Sequence, residues 1–184
     1  MAWIPGGRFR MGSDAHYPEE APAHEVEVSG FWMDETPVTN RQFQAFVAAT
    51  GYQTVAEVPP RAEDYPGADP TMLVAASLVF TPPAAPVHLG DWSQWWAWVP
   101  AASWKHPLGP ESDLEGLLDH PVVHISHYDA VAYAQWAGKS LPTEAEWEFA
   151  GWGGNFGHEF AWGDELAPGG VHMANTFQGS FPHF

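Results

Sequence analysis

Apolar positions along this chain change period several times, and no period lasts more than about a dozen residues. In HEVEVSGFWMDE (24–35), Val26 and Val28 alternate with charged residues and aromatics follow, the period-2 pattern of a half-buried strand. GGRFRMGS (6–13) reads as a short strand between turns, and the two predict an antiparallel pair. At TNRQFQAFVAATG (39–51) the period becomes helical. Phe43, Phe46 and Val47 form one stripe, Thr39 and Gln42 have the spacing of a capping box, and Gly51 is the stop. Residues 55–92 hold too many prolines for a long helix and predict a surface excursion. PVVHIS (121–126) is β-branched and predicts a buried strand. Ser126 with Asp129 then opens a helix that Gly138 closes, and Thr143 with Glu146 opens another. The expected architecture is α+β, with small helices on short strands and long irregular loops.

Composition adds that the chain packs a core. Apolar residues are 45% of 184, with 11 Trp and 11 Phe, and 18 Gly and 18 Pro punctuate the whole length. That size suits one domain over 1–184. Six Lys and Arg against 23 Asp and Glu give a formal charge of −17, so no basic stripe exists to neutralise phosphates. Nucleic acid and membrane surfaces are therefore not expected partners. With no cysteine there is no disulfide, zinc–thiolate site or cysteine nucleophile in this chain. MAWIPGGRFRMG lacks the basic and apolar regions of a secretion signal, so the expected compartment is the cytoplasm.

Candidate chemistry is sparse. His120, His124 and His127 invite a metal reading, but on a strand they do not converge, and they are read as structural. Glu144, Glu146 and Glu148 resemble a carboxylate set for acid/base work. Acidic residues in a first helical turn are already explained by the helix dipole and its free amides. Trp95, Trp96, Trp98 and Trp104 make the most aromatic patch, which can fill a core or line a groove for an extended peptide or a sugar. Asn175 can offer an oxygen to calcium or simply form a turn.

Seven strings in order, IPGGRFRMGS, EEAPAHEVEV, DETPVTNRQFQAFV, HPVVHIS, DAVAYAQWAGKSLPTEAEWEFAG, FAWGDELAPGG and ANTFQGSFP, resemble the formylglycine-generating enzyme (sulfatase-modifying factor) family. The resemblance runs along the whole chain and covers about the first two-thirds of the family domain. Members continue past the equivalent of the terminal NTFQGSFPHF through a cysteine pair, so the chain is expected to be cut within a domain and to need a complementing C-terminal segment.

The resemblance implies a C-type-lectin-like α+β fold. It also implies an activity, the oxygen-dependent oxidation of a sulfatase cysteine, in a Cys-x-Pro-x-Arg type peptide, to Cα-formylglycine at Cu(I) held by two cysteines. No catalytic residue carries over, because those cysteines are absent here. Trp95, Trp96 and Trp98 match the segment near the family's substrate groove. Asn175 and the Thr176 carbonyl match the start of a structural calcium site whose other ligands lie downstream. Ala134 stands where the family often has cysteine, and Gly151 and Trp152 replace part of an ARGG string. The alternative is a non-enzymatic ligand- or peptide-binding module on the same scaffold.

Overall fold

Strands paired two by two, three short α-helices, several 3-10 turns and long loops make a mixed α+β chain with few regular elements. The structure is a computed structural model describing residues 1–183; Phe184, which ends the NTFQGSFPHF string, lies outside them. In chain order the elements are β1 (Ala2–Ile4), β2 (Gly7–Met11), β3 (His24–Val28), β4 (Phe31–Met33), α1 (Asn40–Thr50), β5 (Ala76–Phe80), β6 (Trp96–Pro100), α2 (His127–Trp136) and α3 (Glu144–Trp152). The described residues fall into two compact units, Met1–Thr36 with Pro142–Phe177, and Pro37–Leu141 with 178–183.

In the first unit β2 pairs antiparallel with β3, as the alternation predicts. Phe9 and Val28 point inward and form the core with Phe149 of α3, whose ring meets Phe9 edge-on at 5.4 Å. The Thr143–Glu146 capping box opens α3. Two residues further, Glu148 Oε1 accepts the Gly12 amide at 3.1 Å and fastens the end of β2. The expectation of one strand over 24–35 is corrected. Ser29 and Gly30 break it, and the aromatics Phe31 and Trp32 belong to β4, which pairs with β1. A Cβ on Gly30 would stand 2.5 Å from the ring of the exposed Trp3, which would have to shift.

In the second unit α1 has the predicted capping box at Thr39 and Gln42 and a left-handed Gly51 stop at φ 69°. Its stripe supplies Phe43 and Phe46, which with Trp104 form the buried centre; Phe43 meets Phe46 at 5.3 Å and Trp104 at 5.2 Å, both edge-on. Helix α2 starts at the Ser126–Asp129 box. Asp129 is fully buried and accepts from Tyr52 Oη (3.0 Å), Val55 N (3.1 Å) and Ser126 N (2.8 Å). Burial, then the bond to Asp129, raises the Tyr52 phenol above its usual range.

Two further expectations are corrected in this unit. PVVHIS is not a strand: it makes a single bridge, Thr39 to Pro121, and Val122 N donates to Val38 O at 2.9 Å. The chain then turns at His124, whose φ of 57° lies outside the extended region, and Val123 is exposed. Residues 55–92 are only partly a surface excursion. They contain β5, paired antiparallel with β6, and Val79 of β5 is 6% exposed.

Candidate functional site

The β5–β6 hairpin has two unlike faces, and its register defines them. Directly opposed residues of an antiparallel pair share a face. Val79 with Ala97 and Ser77 with Val99 make one, and Phe80 with Trp96, Leu78 with Trp98 and Ala76 with Pro100 make the other. The first face is inward, since Val79 is buried. The second carries Leu78, Trp96 and Trp98 at 39%, 38% and 42% exposure. An antiparallel hairpin covered on one side normally turns polar residues to water on the other. Here all six outward residues are apolar, and Trp96 meets Phe80 edge-on at 5.5 Å.

Of the three tryptophans in the expected groove, Trp96 and Trp98 therefore stand together on the open face. Trp95 does not. It precedes the strand, is 7% exposed, and its ring meets Phe181 edge-on at 5.4 Å. Leu78 and Phe80 belong to the open face and were missed, because they lie in the proline-rich stretch. The apolar run ASLVF inside it was the available signal.

The segment after β6 is held by a polar clamp. Glu57 Oε2 accepts from Thr54 N (3.0 Å), Thr54 Oγ1 (2.9 Å) and Trp104 Nε1 (3.2 Å), while Lys105 Nζ lies 2.8 Å from Glu57 Oε1. Burial pushes the Glu57 carboxyl up, but the Lys105 bond and the two Thr54 bonds outweigh it and hold it below its usual value. Thr54 is fully buried.

The other candidates are dispersed. His120 gives its carbonyl to Asn40 N, His124 Nε2 lies 2.8 Å from Pro107 O, and the His127 ring faces Tyr128 at 6.3 Å. Glu146 caps α3 and Glu148 binds the Gly12 amide. Asn175 and Thr176 belong to the first unit and are exposed, and Thr176 N donates to Ala174 O at 2.9 Å. Together they offer one side-chain oxygen and one carbonyl, against the six to eight oxygens that calcium takes. Among the described residues no three His, Asp or Glu side chains are grouped to hold a metal ion, and no helix is long and apolar enough to cross a membrane.

Residues 1–184 match the sulfatase-modifying factor enzyme 1-like domain. The chain is 56% identical over 180 residues to the formylglycine-generating enzyme of Mycobacterium tuberculosis, covering 98% of this chain and 60% of that protein. To the enzyme of the same name from Streptomyces coelicolor it is 48% identical, over 98% of this chain and 55% of that protein. A mouse protein named inactive C-alpha-formylglycine-generating enzyme 2 is 43% identical over 99% of this chain and 56% of its own length. The chain thus spans between 55% and 60% of the length of these relatives.

Proposed function

We propose, since the chain belongs to the sulfatase-modifying factor enzyme 1-like domain family, that it forms the scaffold and peptide-receiving face of a formylglycine-generating oxidase. The substrate is an extended sulfatase segment containing the target cysteine. The observation that carries the reading is the outward apolar face of β5–β6, with Trp96 and Trp98 in register with Phe80 and Leu78. Flat aromatic rings beside a strand suit an extended peptide, whose alternate side chains can lie against them. Trp95 is buried and packs edge-on against Phe181, outside the open face. The scaffold is of the C-type-lectin-like kind, for which the scarcity of regular elements is the support.

The oxidation turns the cysteine CH2–SH into an aldehyde and releases the sulfur as hydrogen sulfide, while O2 is reduced to water. Two of the electrons come from the substrate and two from an external thiol reductant, and the step needs a redox centre. Copper(I) bound by two thiolates is the centre the family resemblance implies. This chain has no cysteine, so its own donors do not fit that ion. The cysteine pair comes in our reading from a complementing C-terminal segment, and the same segment completes calcium coordination begun at Asn175 and Thr176. Alone, residues 1–184 convert no Cys-x-Pro-x-Arg peptide. With a segment bearing the cysteine pair, fused or in trans, and copper, mass spectrometry should register exchange of the thiol for an aldehyde. Conversion by the cysteine-free chain would overturn the mechanism. A folded, copper-loaded combination that binds the peptide and leaves it unchanged would favour the binding-module alternative.

A further inference from the structure

β6 offers a backbone edge as well as its rings. Hydrogen-bond parity in the β5–β6 hairpin is fixed at both ends, where Ala101 N donates to Ala75 O and Thr81 N to Trp95 O, each at 2.8 Å. Bonded pairs of an antiparallel ladder alternate with unbonded ones, and the register runs unbroken between those ends. Ser77 with Val99 and Val79 with Ala97 are therefore the bonded pairs, and Trp96 and Trp98 turn their N–H and C=O groups away from β5. Pro100 has the same parity, so its missing N–H falls where β5 needs none. β5 has the 3-10 turn Val55–Glu57 beside it, and among the described residues no strand stands beside β6 except β5. The backbone groups of Trp96 and Trp98 find no hydrogen-bond partner among the described residues. Open edges are usually guarded by charge, a bulge or a covering loop, yet no charged residue stands between Trp96 and Pro100.

We propose that the edge of β6 takes the substrate peptide as an added strand, an inference that rests on the peptide reading above and gives it a backbone register. Outward N–H and C=O groups recur at every second residue, about 6.8 Å apart along a strand. Another extended backbone is what matches that repeat. The Cys-x-Pro-x-Arg sequence then has one parity. Its proline has no N–H and faces away from β6, and strand alternation carries the cysteine and the arginine with it. The two x residues turn their N–H and C=O groups to the edge, two positions apart as Trp96 and Trp98 are. Backbone bonds do not depend on the side chain, which suits positions where the residue varies. Added antiparallel, the x side chains lie on the same face as the Trp96 and Trp98 rings.

The test changes the peptide and leaves the protein as it is. Labelled, N-acetylated Cys-Ala-Pro-Ala-Arg is titrated with the chain by fluorescence anisotropy, beside four forms N-methylated at the cysteine, at either alanine or at the arginine. N-methylation of either alanine should weaken binding by about tenfold, since a bond to β6 is lost and its acceptor there is left unpaired. N-methylation of the cysteine or the arginine should change it by less than about twofold, because those groups share the outward parity of the proline. Equal losses at all four positions, or none at any, overturn the strand pairing. In that case binding of the unmodified peptide that Trp96→Ser/Trp98→Ser weakens would still uphold the aromatic face. No binding of the unmodified peptide overturns both, and a chain that is then dimeric by sedimentation would assign the edge to a second copy.

Discussion

In the β2–β3 hairpin Arg8 stands opposite Glu27 and Arg10 opposite Glu25, whereas in β5–β6 the outward pairs are Leu78 with Trp98 and Phe80 with Trp96. Both hairpins have strands of five residues and an inward apolar row, Phe9 and Val28 in one and Val79 in the other. Their outer faces differ in kind. Arg8 Nη2 lies 2.9 Å from Glu27 Oε2 with both side chains largely exposed, which is the ordinary way to solvate a hairpin. On β5–β6 no charge interrupts the aromatic row; Phe80 stacks on Phe181 of the same unit at 6.3 Å, while Leu78, Trp96 and Trp98 stay partly exposed. An apolar face presented to water by a hairpin whose other side is packed marks a surface for a partner.

The comparison breaks most severely where an inward residue is removed. Phe9→Ala should cost about 3–5 kcal/mol, since a buried ring is lost and Phe149 is left facing a cavity. Urea unfolding of the first unit checks it. In the second unit, Asp129→Ala should cost about 3 kcal/mol by the same measurement, because Tyr52, Val55 and Ser126 lose one buried acceptor together. Outward residues should matter less to stability. Trp98→Ser is expected to cost about 2 kcal/mol, because part of the ring is already exposed, and Arg8→Gln less than about 0.5 kcal/mol. A loss at Trp98 as large as that at Phe9 would mean that the aromatic face is core and the contrast is false.

The Glu57 clamp after β6 has a pH signature. The folded Glu57 carboxyl titrates below its usual value of 4.5, so its contribution is present above that value and lost as pH falls through the lower folded one. Lys105→Met should shrink this acid-side loss, measured as the change in denaturant midpoint between pH 6 and the acid range.

Local signals were the legible ones. The Thr39–Gln42, Ser126–Asp129 and Thr143–Glu146 boxes, the Phe43 and Phe46 stripe and the β2–β3 pairing all follow from residues within a few positions of each other or from strict alternation. PVVHIS misled because β-branched residues make a strand only where a neighbour pairs with them, and here Pro121 supplies no donor and His124 turns the chain. Asp129 was readable as a cap, but its partners Tyr52 and Val55 stand more than seventy residues away in sequence, and only the tertiary fold joins them. For the site, Trp96 and Trp98 came from the family resemblance. Period 2 separates them from Trp95, yet the register with Leu78 and Phe80 required the strand hidden among prolines.

The central claim is that the outward face of β5–β6 receives an extended peptide. Fluorescence anisotropy of a labelled Cys-x-Pro-x-Arg peptide, titrated with the wild-type chain and with the Trp96→Ser/Trp98→Ser variant, tests it most directly. Two aromatic contacts removed from a binding face should weaken the peptide by about tenfold or more, in a variant that still unfolds cooperatively. Unchanged affinity in a folded variant would contradict the claim.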